Sequence, residues 1–142
     1  MKFSAKARYG LKVVYVLAKN YEDNKEPLSN SKLAIMAAVS EPYLEKIMST
    51  LKKADIVESQ IGMLGGYKLK HAPEKVTVGI VLKALEGEIF MSDCVKNNCN
   101  NASCPNKDIF NTIYLKVNQV LENMTLQDVI DNKKESLWEI YI

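Results

Sequence analysis

SEPYLEKIMSTLKKADIVESQIGMLGGYKLK, residues 40–70, decides how this chain folds. In its first half Leu44, Ile47 (or Met48) and Leu51 recur one helical turn apart, as a single apolar stripe does. Tyr43, Glu45, Lys46, Ser49, Lys52 and Lys53 are left for the outer faces. Ser40 is placed to cap this helix, Glu41 complements its dipole, and Pro42 falls in the first turn, where a missing N–H costs nothing. Upstream, Ser29 or Ser31 can cap a shorter helix, SKLAIMAA, which Val39 and Ser40 break. Two short helices, a tight turn and a polar outer face suit a helix-turn-helix, and equally an ordinary helical hairpin. The residues that follow shift the balance. DIVES has a strand pattern, IGMLGG is a glycine turn, and YKLK is a second strand with Tyr67 and Leu69 alternating, so the hairpin reads as a wing.

Towards the N-terminus, Leu11, Val14, Tyr15, Ala18 and Tyr21 predict a helix with one buried stripe, leaving Lys6, Arg8, Lys12 and Lys19 on much of its remaining surface. NYEDNKEPLS reads as a loop. Beyond the wing and the turn-like HAPEK, VTVGIVLKALEG carries Val78, Val81, Leu82 and Leu85 at helical spacing, and Gly87 can end that helix. Further on, Phe110, Ile113, Val117, Val120 and Met124 are spaced 3, 4, 3 and 4, a heptad seam. A second row, Ile109, Leu115 and Leu121 with Tyr114, widens the apolar surface beyond what a small monomer leaves to solvent, which points to pairing of two chains. Thr125 starts a short last helix with Asp128 three residues on, in capping-box fashion, and LWEIYI closes the chain as a strand or packed anchor.

The 142 residues suffice for one buried core with a helical extension, and 47% hydrophobic with 25% charged residues excludes a disordered or fibrous chain. The apolar run Leu11–Ala18 is broken by Lys12 and falls far short of the roughly 20 residues of a membrane span. No signal peptide precedes it, so a cytoplasmic, reducing location is expected, where cysteines serve metal or redox chemistry more often than structural disulfides. Charge is unevenly divided. Residues 1–75 carry 13 Lys and Arg against 8 Asp and Glu, and residues 76–142 carry 6 against 9, so a basic half precedes an acidic one. Contact of the first half with a polyanion is one reading; a solvated charged face is the other.

Between these halves lies CVKNNCNNASCPNK, residues 94–107, three cysteines in a segment almost without apolar residues. Such a segment cannot organise itself by burial. A closed zinc site needs four N or S ligands, and the only histidine, His71, lies 23 residues before Cys94 with no ligand-like spacing, which leaves zinc only with a water or a carboxylate as the fourth ligand. An iron-sulfur cluster is thiolate-bound and suits three clustered cysteines with a fourth ligand from elsewhere. A reactive thiol near Lys96 or Lys107, reversibly oxidised, is the metal-free alternative. No phosphate loop, nucleophile with its base or HExxH helix points to an enzyme.

Five stretches, MKFSAKARYGL, SEPYLEKI, GMLGGYKL, EGEIFMSDC and NMTLQDVI, together resemble the IscR, NsrR and CymR family of bacterial winged-helix transcription regulators over residues 1–132. The fold expected is mainly α with a small β wing: a winged helix-turn-helix domain over 1–87, a cysteine-rich cluster-binding loop over 88–107, and a dimerisation helix with its C-terminal segment over 108–142. The resemblance implies a homodimer on a pseudo-palindromic operator, with an iron-sulfur cluster on Cys94, Cys99 and Cys104, 2Fe-2S ahead of 4Fe-4S. Lys107 stands where IscR-type members often have a histidine, Arg8 where NsrR-type members have an acidic residue, and Ile61 where a basic residue usually precedes the first wing glycine. Asp93, Asn106 and Asp108 are candidates for the fourth ligand. Expected DNA contacts are Ser40, Tyr43, Glu45, Lys46 and Ser49 of the recognition helix, Lys6, Lys52 and Lys53 on phosphates, and Ile61 and Gly62 in the wing.

Overall fold

The computed structural model describes residues 2–23, 26–90, 92–96, 100 and 103–132. Cys99 and the tail LWEIYI lie outside them. Helix α1, Ala5–Asp23, begins where the Ser4 hydroxyl accepts from the Ala7 amide at 3.1 Å. Its buried face is Ala7, Gly10, Val13, Val14, Leu17 and Ala18, which corrects the expected stripe: Val14 and Ala18 belong to it, but Leu11, Tyr15 and Tyr21 are only half-buried. The physical reason is Gly10. A Cβ there would collide with the Leu85 side chain, so its absence lets the helix that carries Leu85 press on that side of α1.

Helix α2, Asn30–Ala37, is capped by Ser29, whose hydroxyl accepts from the Lys32 amide at 3.3 Å. It ends when Ala38 takes a left-handed φ of 55°, with the Ala38 and Val39 amides returning to the carbonyls of Ile35 and Ala34. This is the tight turn of the helix-turn-helix. Helix α3, Glu41–Lys53, follows at once and buries Leu44, Ile47, Met48 and Leu51 completely, so Ile47 and Met48 both face the core. Burying each such side chain stabilises the fold by roughly 1.5–3 kcal/mol. Ser40 holds the N-cap position, but its hydroxyl makes no capping hydrogen bond, contrary to expectation.

Strands β1, Val57–Gln60, and β2, Gly66–Leu69, pair antiparallel with Val57 opposite Leu69 and Gln60 opposite Gly66. Leu28, from the stretch expected as plain loop, bridges Tyr67 through two backbone hydrogen bonds of 2.8 and 2.9 Å and so extends the wing by one residue pair. Gly66 makes this possible, because a Cβ there would meet the Leu28 carbonyl. A 3-10 turn, Pro73–Lys75, leads to α4, Val78–Glu86, capped by the Thr77 hydroxyl and ended at Gly87 with φ 82°.

The short α5, Asp93–Lys96, packs on the long α6, Pro105–Asn123. Helix α7, Leu126–Asn132, opens with the expected capping box: Thr125 N–H donates to the Asp128 carboxylate at 2.9 Å and Asp128 N–H to the Thr125 hydroxyl at 3.0 Å. The junction of α6 and α7 is stitched to the start of α4, Val78 N–H reaching the Met124 carbonyl and Leu126 N–H the Val76 carbonyl, both at 2.8 Å. Leu126 and Ile130 thereby join the core that α1, α3 and α4 build.

Candidate DNA-reading face and cysteine segment

The outer side of α3 carries Glu45, Lys46, Ser49, Lys52 and Lys53 exposed, with Ser40 exposed at its start. Tyr43 is half-buried, its ring edge-on to that of Tyr9 at 5.9 Å, and Lys12 lies over the Tyr9 ring at 5.5 Å. Tyr43 is therefore partly a packing residue between α3 and α1. Lys52 Nζ donates to the Ser59 hydroxyl at 2.6 Å and ties α3 to β1. Lys6 is half-buried on α1, and its charge acts on Glu86 at the end of α4.

At the root of the wing Asp55, with a left-handed φ of 63°, accepts from Lys70 and is 3.3 Å from His71 Nε2. Hydrogen bonds from Lys70 and then His71 hold the Asp55 carboxyl below its ordinary range, and the same bond raises Lys70. Lys68 pairs with Glu58 across the strands at 3.2 Å. Ile61 and Gly62 are both exposed in the turn, Gly62 at φ 125°, a conformation that side chains resist.

Cys94 lies in α5 and Cys104 at the N-cap of α6, both half-buried and unpaired, on two elements that touch. Cys104 makes no side-chain capping bond, and the first turn of α6 beside it closes through the Lys107 amide, which donates to the Cys104 carbonyl at 3.2 Å. Next to Cys94 the Ser92 hydroxyl oxygen is buried without a hydrogen-bond partner. Half-buried thiols, an orphaned hydroxyl and a helix N-terminus, which favours negative charge, suit a thiolate-bound anionic group. Among the described residues no three His, Cys, Asp or Glu side chains converge as a metal site. Asp93, Asn106 and Asp108 are exposed, and Lys107 is half-buried. No helix among the described residues is long and apolar enough to cross a membrane.

A winged helix with an appended long helix is a DNA-binding architecture, and comparison with known proteins identifies which one. The family profile of Rrf2, described as an iron-dependent transcriptional regulator, matches residues 3–132. The chain belongs to the Rrf2 family. Among its Rrf2 relatives is the regulator CymR of Bacillus subtilis, 33% identical over 91% of this chain and 89% of that protein. The solved structure of that protein, titled the global cysteine regulator, superposes with a TM-score of 0.78 at 34% identity, over 91% of this chain and 95% of that one. IscR of T. potens also superposes at 0.78, with 28% identity over 96% and 91% of the two chains. The regulator NsrR of Oceanobacillus iheyensis is 26% identical over 91% and 89%. This Rrf2 chain is thus a DNA-binding transcription regulator of winged-helix fold, not an enzyme.

Proposed function

We propose that the protein acts as a homodimer on a pseudo-palindromic operator and senses iron-sulfur status, redox or nitric oxide through an iron-sulfur cluster on Cys94, Cys99 and Cys104. The observation that carries this is the position of Cys94 and Cys104 on touching elements, half-buried, at the foot of a long helix with an apolar exposed face. Bound there, the cluster supplies reversible electron and small-molecule chemistry at the sulfurs. The chain's own part is to hold that core with its thiolates and order residues 88–107 between the pairing helix and the DNA-reading domain. Lys107 is a poor ligand while protonated, so Asp93, Asn106, Asp108 or a group near the second chain's first helix completes the set, with 2Fe-2S ahead of 4Fe-4S by the family resemblance.

Ile109, Ile113 and Val120 lie exposed along one stripe of α6, the surface expected to pair two chains. Such a dimer sets two copies of α3 into successive major grooves. Glu45 accepts from a cytosine amino group, Lys46, Ser49, Tyr43 and Ser40 approach base edges or sugar-phosphate, and Lys6, Lys52 and Lys53 neutralise phosphates. Loop ordering need shift operator affinity by only about 1.4 kcal/mol for a tenfold response.

A metal-free thiol regulator is the second reading. It rests on Cys94 and Cys104 being unpaired, half-buried thiols on touching elements. Anaerobic purification separates the two. Visible absorption with stoichiometric iron and acid-labile sulfide is the expected result; a colourless protein with its three cysteines free, even after reconstitution, defeats the cluster and leaves the thiol switch.

A further inference from the structure

The outermost part of the wing is apolar and uncharged. Gly65 N–H donates to the Gly62 carbonyl at 3.0 Å, closing a turn whose two central residues are Met63 and Leu64. Exposure is 104% for Met63, 99% for Ile61 and 88% for Leu64, so the core uses none of them. From Ser59 to Tyr67 no residue is charged. The flanking cations are committed within the wing, Lys68 to Glu58 and Lys70 to Asp55. One exposed apolar residue is ordinary; three together at a hairpin tip mark a surface that something covers.

Continuity with the DNA-reading face identifies the cover. Only Ala54, Asp55 and Ile56 separate α3 from β1, and the Lys52–Ser59 bond fastens the two, so the tip moves with the recognition helix. With α3 in a major groove, a wing beside it reaches the neighbouring minor groove. That groove, about 6 Å wide, excludes a hairpin but admits single side chains, and Ile, Leu and Met are the types that wedge between base steps.

Resting on the DNA-binding assignment, we propose that Ile61, Met63 and Leu64 form an apolar wedge that enters the minor groove beside the recognition helix and unstacks one base step. The wedge selects operators by how easily that step opens, which favours pyrimidine–purine steps such as TA and CA. Because it carries no charge, it adds affinity without adding salt dependence.

The test uses the full-length protein and an operator selected from random DNA, with 2-aminopurine placed in turn at each step flanking the major-groove site. Wild-type protein raises the fluorescence at one step in each half-site. Combined Met63→Ser and Leu64→Ser substitution removes that rise and weakens binding about tenfold where the step is pyrimidine–purine, while the slope of log affinity against log salt is unchanged. Circular dichroism shows the variant folded, since neither side chain packs in the core. Flat fluorescence on a tightly bound wild-type operator, or equal affinities of the two proteins, overturns the wedge. Unchanged operator binding with variant-sensitive flotation on phosphatidylglycerol vesicles overturns it in favour of a membrane surface. Selection that enriches no sequence defeats DNA reading itself, a result distinct from a bound but undisturbed operator.

Discussion

Glu86 accepts a 2.6 Å hydrogen bond from the Ser4 amide, so the last residue of α4 is tied to the residue that caps α1. The cysteine segment leaves α4 one residue later, at Gly87. Hydrogen bonds from Ser4, aided by the charge of Lys6, hold the Glu86 carboxyl below its ordinary 4.5. A folded-state pKa below the unfolded one means that folding favours the ionised carboxylate. The contribution is complete above the ordinary carboxylate pKa and disappears as pH falls through the depressed folded value. Glu86→Gln is expected to lower the melting temperature at neutral pH, with the gap to wild type closing in acid. A gap independent of pH would remove the carboxylate from the account.

The crossing of α4 and α6 depends on Gly79. A Cβ there would lie 2.8 Å from the Leu121 carbonyl oxygen and 3.0 Å from its carbon, and backbone atoms cannot step aside. Gly79→Ala should destabilise the protein by about 1–3 kcal/mol in urea unfolding, as overpacking does. An unchanged midpoint would show that the two helices slide apart freely.

Ile113 is 39% exposed on α6. Ile113→Glu leaves the chain's own core intact, so circular dichroism should be unchanged while sedimentation shows monomers in place of dimers. Dimers that persist at low micromolar concentration would move the pairing surface away from this helix face.

Glu45 and Lys52 should separate sequence reading from phosphate contact. Glu45→Ala is expected to relax preference at one base pair, removing about 1–3 kcal/mol of discrimination. Lys52→Ala should weaken all sequences alike and lower the salt slope by about one. Equal loss on every operator variant after the Glu45 change would exclude its base contact.

Ala38 carries a side chain at φ 55°, in the turn between α2 and α3. Glycine accepts that conformation without steric cost, so Ala38→Gly should stabilise by about 0.5–1 kcal/mol, read as a raised denaturant midpoint. Destabilisation instead would mean that the methyl group packs usefully.

The local elements were legible because their signals lie within one or two helical turns. Leu44, Ile47, Met48 and Leu51 mark a face whatever surrounds it, and Thr125 with Asp128 makes a cap from two residues of one turn. The cysteine segment was legible as chemistry but not as geometry, since its composition names thiols and says nothing of where they meet.

Long-range closures were not legible. Nothing in the spacing of α1 shows that Leu85 will lie against Gly10, that Leu28 will join the wing at Tyr67, or that α7 will return to the core through Val76 and Val78. Sequence alone determined every helix but α5, which falls in the stretch read as a loop, together with the wing, the apolar face of α6 and the family to which they belong, because periodicity, caps and turn residues act between near neighbours. Tertiary structure decided which side of α1 is buried, which lysines are already held by carboxylates, and that the wing tip stands bare. Those outcomes depend on distant residues brought together by packing, and local patterns carry no record of their distant partners.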